Sequence, residues 1–310
     1  MKRLCIFVVA AGFLGVGMAC ATVLLAAANG SLTLDDLWED TPATQNLSHR
    51  FRIYKRIALP NRLHQQLRLY LVYPEQAKPT DRRPAVVFIH GGGWGGGDAD
   101  QWFPQCRYFA LRGLVGVSVD YRLKSDTTTI AQCVIDCKSA VRYLRRHAAE
   151  LGLDPDKIAV VGESAGGHLA AAVGTVEAYN EQGEDLTLSA VPSALVLLNP
   201  ITDLTTPWGK SLGDKAESLS PLHHISQHTP PTLLIHGDAD RVVDIRHARA
   251  FHEKMLALGN RSRLVVFAGA GHAFAVFKYG PDASTARAII EIDRYLISLG
   301  YVQGKPLLQI

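Results

Sequence analysis

An excess of charge of either sign is missing from this sequence: 32 Lys and Arg face 29 Asp and Glu, for a formal net charge of +3. Lys2 and Arg3 supply two of those charges, and without them the remainder sits at about +1 on ordinary side-chain reference states. No basic stripe stands out, which argues against nucleic acid as a partner. The densest basic group, Arg142, Arg145 and Arg146, falls on one expected helix and reads as a solvated face. Cysteine is scarce as well. Five are present, and Cys5 and Cys20 lie within the first 28 residues. Cys106, Cys133 and Cys137 remain, an odd number without zinc-type spacing. They read as small buried apolar side chains; a bridge from Cys106 to Cys133 or Cys137 is the alternative in an oxidising compartment. Internal repeats are also absent.

Charge is missing altogether from Leu4 to Ala28. The basic pair before this run and the small residues that close it (Ala26-Ala27-Ala28, or Ala19-Cys20-Ala21) have the form of a signal peptide with its cleavage site. The run is long for that purpose, and about 20 apolar residues suffice to span a bilayer, so a retained anchor through residues 4–28 is the alternative. Lipidation at Cys20 is disfavoured, because Gly17-Met18-Ala19 lacks a branched apolar residue. Positive charge on the cytoplasmic side places the remainder of the chain outside the cytoplasm in either case. The expectation is an exported protein, secreted or periplasmic, or one anchored in the membrane with its globular part outside.

What is present is a strand–helix alternation. Residues 1–28 form the leader or anchor, and residues 29–50, polar and acidic at Asp35, Asp36, Glu39 and Asp40, suit a linker or N-terminal arm. A single domain is expected over 51–310. Arg52–Leu59 and Leu67–Tyr73 alternate like half-buried, antiparallel strands. Continuous apolar runs at Ala85–His90, Leu114–Val119, Ile158–Val161, Ala194–Leu198, Thr232–His236 and Arg263–Phe267 have the character of fully buried parallel strands. Between them, Trp102–Arg112, Ile130–Leu151, Ala165–Ala178, Asp244–Leu258 and Ala286–Leu299 carry apolar residues at helical spacing. The pattern implies an α/β protein, a mostly parallel sheet with helices on both faces. The patternless stretch 202–231 between two expected strands reads as a lid-like insertion.

Three segments carry chemistry. Gly162-Glu163-Ser164-Ala165-Gly166 lies between a buried strand and a helix. A serine on that tight turn is lifted clear of the sheet edge toward free amides at a helix N-terminus, which makes Ser164 a nucleophile candidate. His90-Gly91-Gly92-Gly93-Trp94 ends an earlier buried strand. Its glycines let backbone N–H groups approach a substrate oxygen, and the amides of Gly92, Gly93 and Ala165 are the candidate oxyanion donors. His90 reads as a positioning residue for that loop. No Gly-Lys-Ser/Thr ending follows the glycines, so a phosphate-binding loop is excluded. A serine hydroxyl needs a base. Of the twelve histidines, only His272 sits in a Gly-flanked loop after the final expected strand. In His236-Gly237-Asp238-Ala239-Asp240-Arg241-Val242-Val243-Asp244 three carboxylates compete as its acid partner. Asp240 is the choice by loop position, with Asp238 suited to bracing the turn and Asp244 to capping a helix. Trp94, directly after the oxyanion loop, is a candidate substrate-binding residue. Glu163 is given no catalytic role. His223, His224 and His228 cluster in the lid but lack a carboxylate motif, so no metal site is expected.

Taken together, the segments HGGGW, GESAGG, HGDAD and GAGHAF, with Val119-Asp120-Tyr121-Arg122-Leu123 and the stretch from Asp136 to Leu144, resemble the α/β-hydrolase superfamily. The similarity runs from about Arg68 to Leu299 and is to the exported esterase/lipase-like branch related to hormone-sensitive lipase and bacterial carbohydrate esterases. The resemblance implies the α/β-hydrolase fold, a Ser164/Asp240/His272 triad, and hydrolysis of short-chain acyl esters, acetyl groups on carbohydrates among them, without a cofactor. One departure touches the acid: Asp-Arg-Val-Val-Asp stands where many relatives have Asp-Pro, which keeps Asp244 in competition with Asp240. Two other functions share parts of the pattern. A prolyl-oligopeptidase-like serine peptidase has the same order of residues but normally a large extra domain, and a non-catalytic binding module would not need the whole constellation.

Overall fold

Eight strands pair into one sheet, and apolar residues fill the inner ones, such as Ala194–Leu198 and Val115–Val119. The computed structural model describes residues 32–39, 41–58 and 64–309. The strands are β1 (Ser48–Ala58), β2 (His64–Tyr73), β3 (Arg83–Ile89), β4 (Val115–Val119), β5 (Leu153–Glu163), β6 (Ala194–Leu198), β7 (Thr232–Gly237) and β8 (Ser262–Phe267). Their order is β1-β2-β4-β3-β5-β6-β7-β8. β2 runs antiparallel to β1 and β4, and every pairing from β4 through β8 is parallel. The period of two along each buried strand sorts side chains between two cores. Val87 and Ile89 of β3, Val160 of β5 and Leu195 and Leu197 of β6 enter one core. Val86 and Phe88, Val161, and Val196 and Leu198 enter the other. A slip of one residue would exchange these sets, so burial fixes the register.

Helices cover both faces, as the alternation implied. Helices α1 (Phe103–Leu111) and α7 (Ala283–Ser298) pack on one, while α2 (Ile130–Arg146), the single turn α3 (Ala148–Leu151), α4 (Ala165–Thr175) and α6 (Arg246–Ala257) pack on the other. The helix expected over 130–151 is interrupted at His147, whose φ of −101° and ψ of 15° leave the helical region. The sheet also separates the cysteines. Cys106 belongs to one core, Cys133 and Cys137 to the other, and all three are free and buried.

Of the two readings of residues 29–50, the described part (32–39 and 41–47) has the form of a docked arm: Leu37 is fully buried, Thr44 is nearly so, and Leu32 forms a β-bridge with Leu308. The segment lacks periodicity because it docks through single residues instead of a repeating face. Strand β1 accordingly begins at Ser48, within the stretch read as linker or arm, and a 3-10 turn at Asp35–Leu37 precedes it. The insertion 202–231 consists of 3-10 turns at Pro207–Leu212 and Pro221–His224 around a single turn, α5 (Lys215–Ser218). It is tied down: the Ser220 hydroxyl donates to the Ala216 carbonyl (2.7 Å) and accepts from the Leu204 amide (2.7 Å). The signal-peptide and anchor readings of residues 1–28 lie outside the described residues. Among the described residues, no helix is long and apolar enough to cross a membrane.

Candidate active site

The parallel strands point their C-terminal ends to one edge, and the loops leaving β3, β5, β7 and β8 meet there. Ser164 occupies the turn from β5 into α4 with φ 54° and ψ −119°, a left-handed conformation that L residues adopt rarely and at a cost of about 1–3 kcal/mol. The small neighbours are obligatory. A Cβ on Gly162 would stand 2.0 Å from the Gly166 carbonyl oxygen, and one on Gly166 would stand 2.2 Å from that of Ile89. Gly166 thus lets the start of α4 touch the end of β3, which brings the Ala165 amide beside the glycine loop.

That loop is folded tightly on itself. Gly92 has φ 109°, a Cβ there would lie 2.4 Å from the Gly96 carbonyl oxygen, and the Gly96 amide donates to the Gly92 carbonyl (2.9 Å). Among the described residues, no group of the chain accepts from the Gly92, Gly93 or Ala165 amide. His90 braces the loop from below, its Nδ1 2.8 Å from the Gly91 carbonyl and its ring stacked on Tyr121, whose hydroxyl donates to the His90 carbonyl (3.0 Å). Burial pushes the His90 imidazole below its ordinary value, which keeps it neutral.

The structure brings Ser164, His272 and Asp240 together. His272 Nε2 is 2.9 Å from Ser164 Oγ, and its Nδ1 is 2.7 Å from Asp240 Oδ2. Asp240 is held by the amides of Val242 (2.8 Å) and Val243 (2.9 Å) on its other oxygen. Burial raises the Asp240 carboxyl, but hydrogen bonds from His236, from His272 and from those two amides outweigh it and hold the group far below the usual carboxylate range. It is ionised, and orients the Nδ1–H tautomer of His272 with Nε2 free to accept from the serine. The competing carboxylates are elsewhere. Asp238 accepts from the Gly269 amide (2.6 Å), and Asp244 accepts from the Arg246 amide (2.8 Å) at the start of α6.

Two side chains at the site were not legible as parts of it. Glu163 is buried, with Oε1 3.4 Å from His272 Nε2 and accepting from Asn199 Nδ2 (2.8 Å). Burial pushes its carboxyl up, partly offset by His272 and Asn199. His236 is fully buried at the end of β7; its Nε2 donates to the Val243 carbonyl (2.9 Å) and lies 3.4 Å from Asp240 Oδ2. Adjacency to the serine and to the acid loop was the only signal either gave. Trp94 differs from expectation. It is 4% exposed and packed into the core, with its indole N–H donating to His168 Nδ1 (3.1 Å), so it offers no free ring face to a substrate. In the lid His223 pairs with Asp203 (3.4 Å). Among the described residues no group of three potential metal ligands gathers.

Compared with known proteins, the chain matches the BD-FAE family over residues 69–255. It is 29% identical to esterase LipC of Mycobacterium tuberculosis over 299 residues, covering 86% of this chain and 73% of LipC. Carboxylesterase NlhH of the same organism is 44% identical over 178 residues, 52% of each chain. Among solved structures, esterase 2 of Thermogutta terrifontis phosphorylated by paraoxon superposes with a TM-score of 0.77 at 40% identity, covering 84% of this chain and 97% of that one. The same esterase has been solved with propionate and with butyrate bound.

Proposed function

Because the chain belongs to the BD-FAE family and is, like the esterases it matches, a carboxylic ester hydrolase of the α/β-hydrolase fold, we propose that it works through an acyl-enzyme on Ser164. His272 takes the serine proton as Oγ attacks the ester carbonyl. The developing oxyanion rests on the amides of Gly92, Gly93 and Ala165, fixed donors typically contributing about 3–4 kcal/mol each. Asp240 stabilises the imidazolium that forms. His272 then gives the proton to the departing alcohol oxygen, and water repeats the sequence to release the acid and free the serine. The observation that carries this reading is the continuous chain Asp240–His272–Ser164, at 2.7 and 2.9 Å, beside three amides without an acceptor among the described residues.

The acyl group is proposed to be short. Propionate and butyrate bound to the Thermogutta esterase support that range, and acetyl groups on carbohydrates fall within it. A fluorophosphonate probe should label the wild type on Ser164 and leave Ser164→Ala unlabelled, with kcat in that variant falling on the order of 10⁶-fold. Retention of a tenth of wild-type activity would overturn the assignment. A panel of esters of rising acyl length, with acetylated xylan beside it, tests the substrate: maximal kcat/KM on acyl chains beyond about eight carbons would refute a short-chain enzyme. Export is proposed on Lys2-Arg3 and the uncharged run to Ala28; recovery of the whole chain in the cytoplasmic fraction would overturn it.

A further inference from the structure

One buried imidazole outside the Ser164–His272–Asp240 chain joins three parts of the site. His168 lies one turn into α4, its amide donating to the Ser164 carbonyl (3.0 Å). Its ring is fully buried. Nδ1 accepts from the indole N–H of Trp94 (3.1 Å), and Nε2 donates to the carbonyl of Leu219 in the insertion 202–231 (2.8 Å). The partners themselves fix the tautomer: an indole N–H can only donate and a carbonyl can only accept. An imidazolium would turn a second N–H against the indole, and burial keeps the ring neutral by pushing its pKa down to about 4. Trp94 is the residue after Gly93, with φ 64°, and its carbonyl is held by the Lys124 amide (2.8 Å). Its indole meets His168 edge-on and sits near Trp208, which also belongs to the insertion.

We propose that His168 is a positioning residue that couples the insertion to the oxyanion loop: docked against the Leu219 carbonyl, it fixes Trp94 and with it the amides of Gly92 and Gly93. This rests on the reading of those amides as oxyanion donors. The physical reason is leverage. Gly92 and Gly93 have no side chains to anchor them; apart from the Gly96 amide on the Gly92 carbonyl, the adjacent side chain of Trp94 is what bears on where their N–H groups point. A displacement of about 1 Å at such donors is enough to lower kcat on the order of 10²-fold.

His168→Phe keeps a ring and removes both hydrogen bonds; Trp94→Phe removes only the indole donor; His168→Gln restores one donor and one acceptor. Each variant is assayed on a short-chain ester for kcat and KM, and for inhibition by a trifluoromethyl ketone that mimics the tetrahedral intermediate. In His168→Phe, kcat should fall about 10–100-fold with KM within about threefold, and inhibitor affinity should weaken in parallel with kcat. Trp94→Phe should act in the same direction, the double variant should be no worse than the worse single one, and His168→Gln should recover part of the loss. Hydrogen exchange of residues 202–220 should quicken in His168→Phe but not in Trp94→Phe, where the Leu219 bond survives. Unchanged inhibitor affinity, a loss confined to KM, or additive single effects would overturn the coupling. Should His168→Phe fail to fold, Trp94→Phe and His168→Gln carry the same decision. Failure of the wild type to react with a fluorophosphonate would instead overturn the acyl-enzyme reading beneath it.

Discussion

Asp136 and Asp240 are both carboxylates with fully buried side chains, and they are held in opposite ways. Asp136, on α2, takes the Lys55 ammonium at 2.7 Å, the Arg122 guanidinium at 2.7 Å on each oxygen, and the Arg122 amide at 3.0 Å. Lys55 also pairs with Glu181. Two permanent cations therefore saturate the carboxylate, and they clamp antiparallel β1 and the loop after β4 onto α2. Among the described residues Asp240 meets no Lys or Arg. Its partners are two amides and two imidazoles, and one imidazole is itself in contact with Ser164. A carboxylate locked to cations holds a fold; one facing a neutral imidazole keeps its attraction available for a charge that appears only during reaction.

The comparison breaks first at Asp240. Asp240→Asn retains the shape but loses the charge and favours the wrong His272 tautomer, so kcat should fall about 10⁴-fold with the protein still folded. A loss under tenfold would remove Asp240 from the acid role. The same carboxylate also shows in acid stability. Its folded-state pKa lies below the ordinary 3.8, so on acidification the unfolded chain takes up the proton first. The contribution is present above about pH 3.8 and is lost as pH falls through the folded value. Denaturant unfolding of the wild type should weaken across that window by an amount that Asp240→Asn does not show.

At Asp136 the expectation reverses. Removing it leaves the mostly buried Arg122 without its carboxylate and Lys55 with only Glu181, and Asp136→Ala should destabilise the fold by about 3–5 kcal/mol. The kcat of the molecules that remain folded should stay within about threefold, since Asp136 lies outside the Ser164–His272–Asp240 chain. Thermal or urea unfolding together with an active-site titration separates the two effects. A large fall in kcat per labelled serine would show that the clamp and the site are not independent.

The contrast also explains what could be read in the sequence. The strands were legible because each carries a short, continuous or alternating apolar run, buried outright in the central ones and only partly in β1 and β8, and the period of that run is local information. Ser164, His272 and the glycine loop were legible for a related reason, since each needs a particular residue type on a particular strand-end turn. Partnerships were not. Lys55 and Asp136 stand 81 residues apart, and nothing near either one announces the other. The choice among Asp238, Asp240 and Asp244 depends on where a loop points, which spacing alone leaves open. His168 was hidden more deeply, because its second partner is a backbone carbonyl in a segment without periodicity. The break at His147 has no glycine or proline to mark it, and the docking of Leu37 involves a single side chain in a polar stretch.

The smallest expected effect is the most discriminating for the acid. Asp244 is the carboxylate that the motif Asp-Arg-Val-Val-Asp leaves in competition with Asp240, only four residues away. Its side chain is 48% exposed, accepts from the Arg246 amide and pairs with the Arg246 guanidinium at 2.9 Å, whereas the hydrogen bonds of His272 go to Asp240 and Ser164. Those hydrogen bonds and the exposed ion pair hold it somewhat below the usual carboxylate range, which is what a group serving the first turn of α6 needs. Asp244→Ala should therefore lower stability by about 0.5–1 kcal/mol through the lost bonds to the Arg246 amide and guanidinium. Its kcat and KM should match the wild type within about twofold, well short of the effect expected at Asp240. Measured side by side under one set of conditions, Asp240→Ala and Asp244→Ala should differ by about three orders of magnitude or more in kcat. Equal losses would mean that the loop after β7 can present either carboxylate to His272, and the contrast between a fixed and a responsive acid would then apply to the loop as a whole rather than to Asp240.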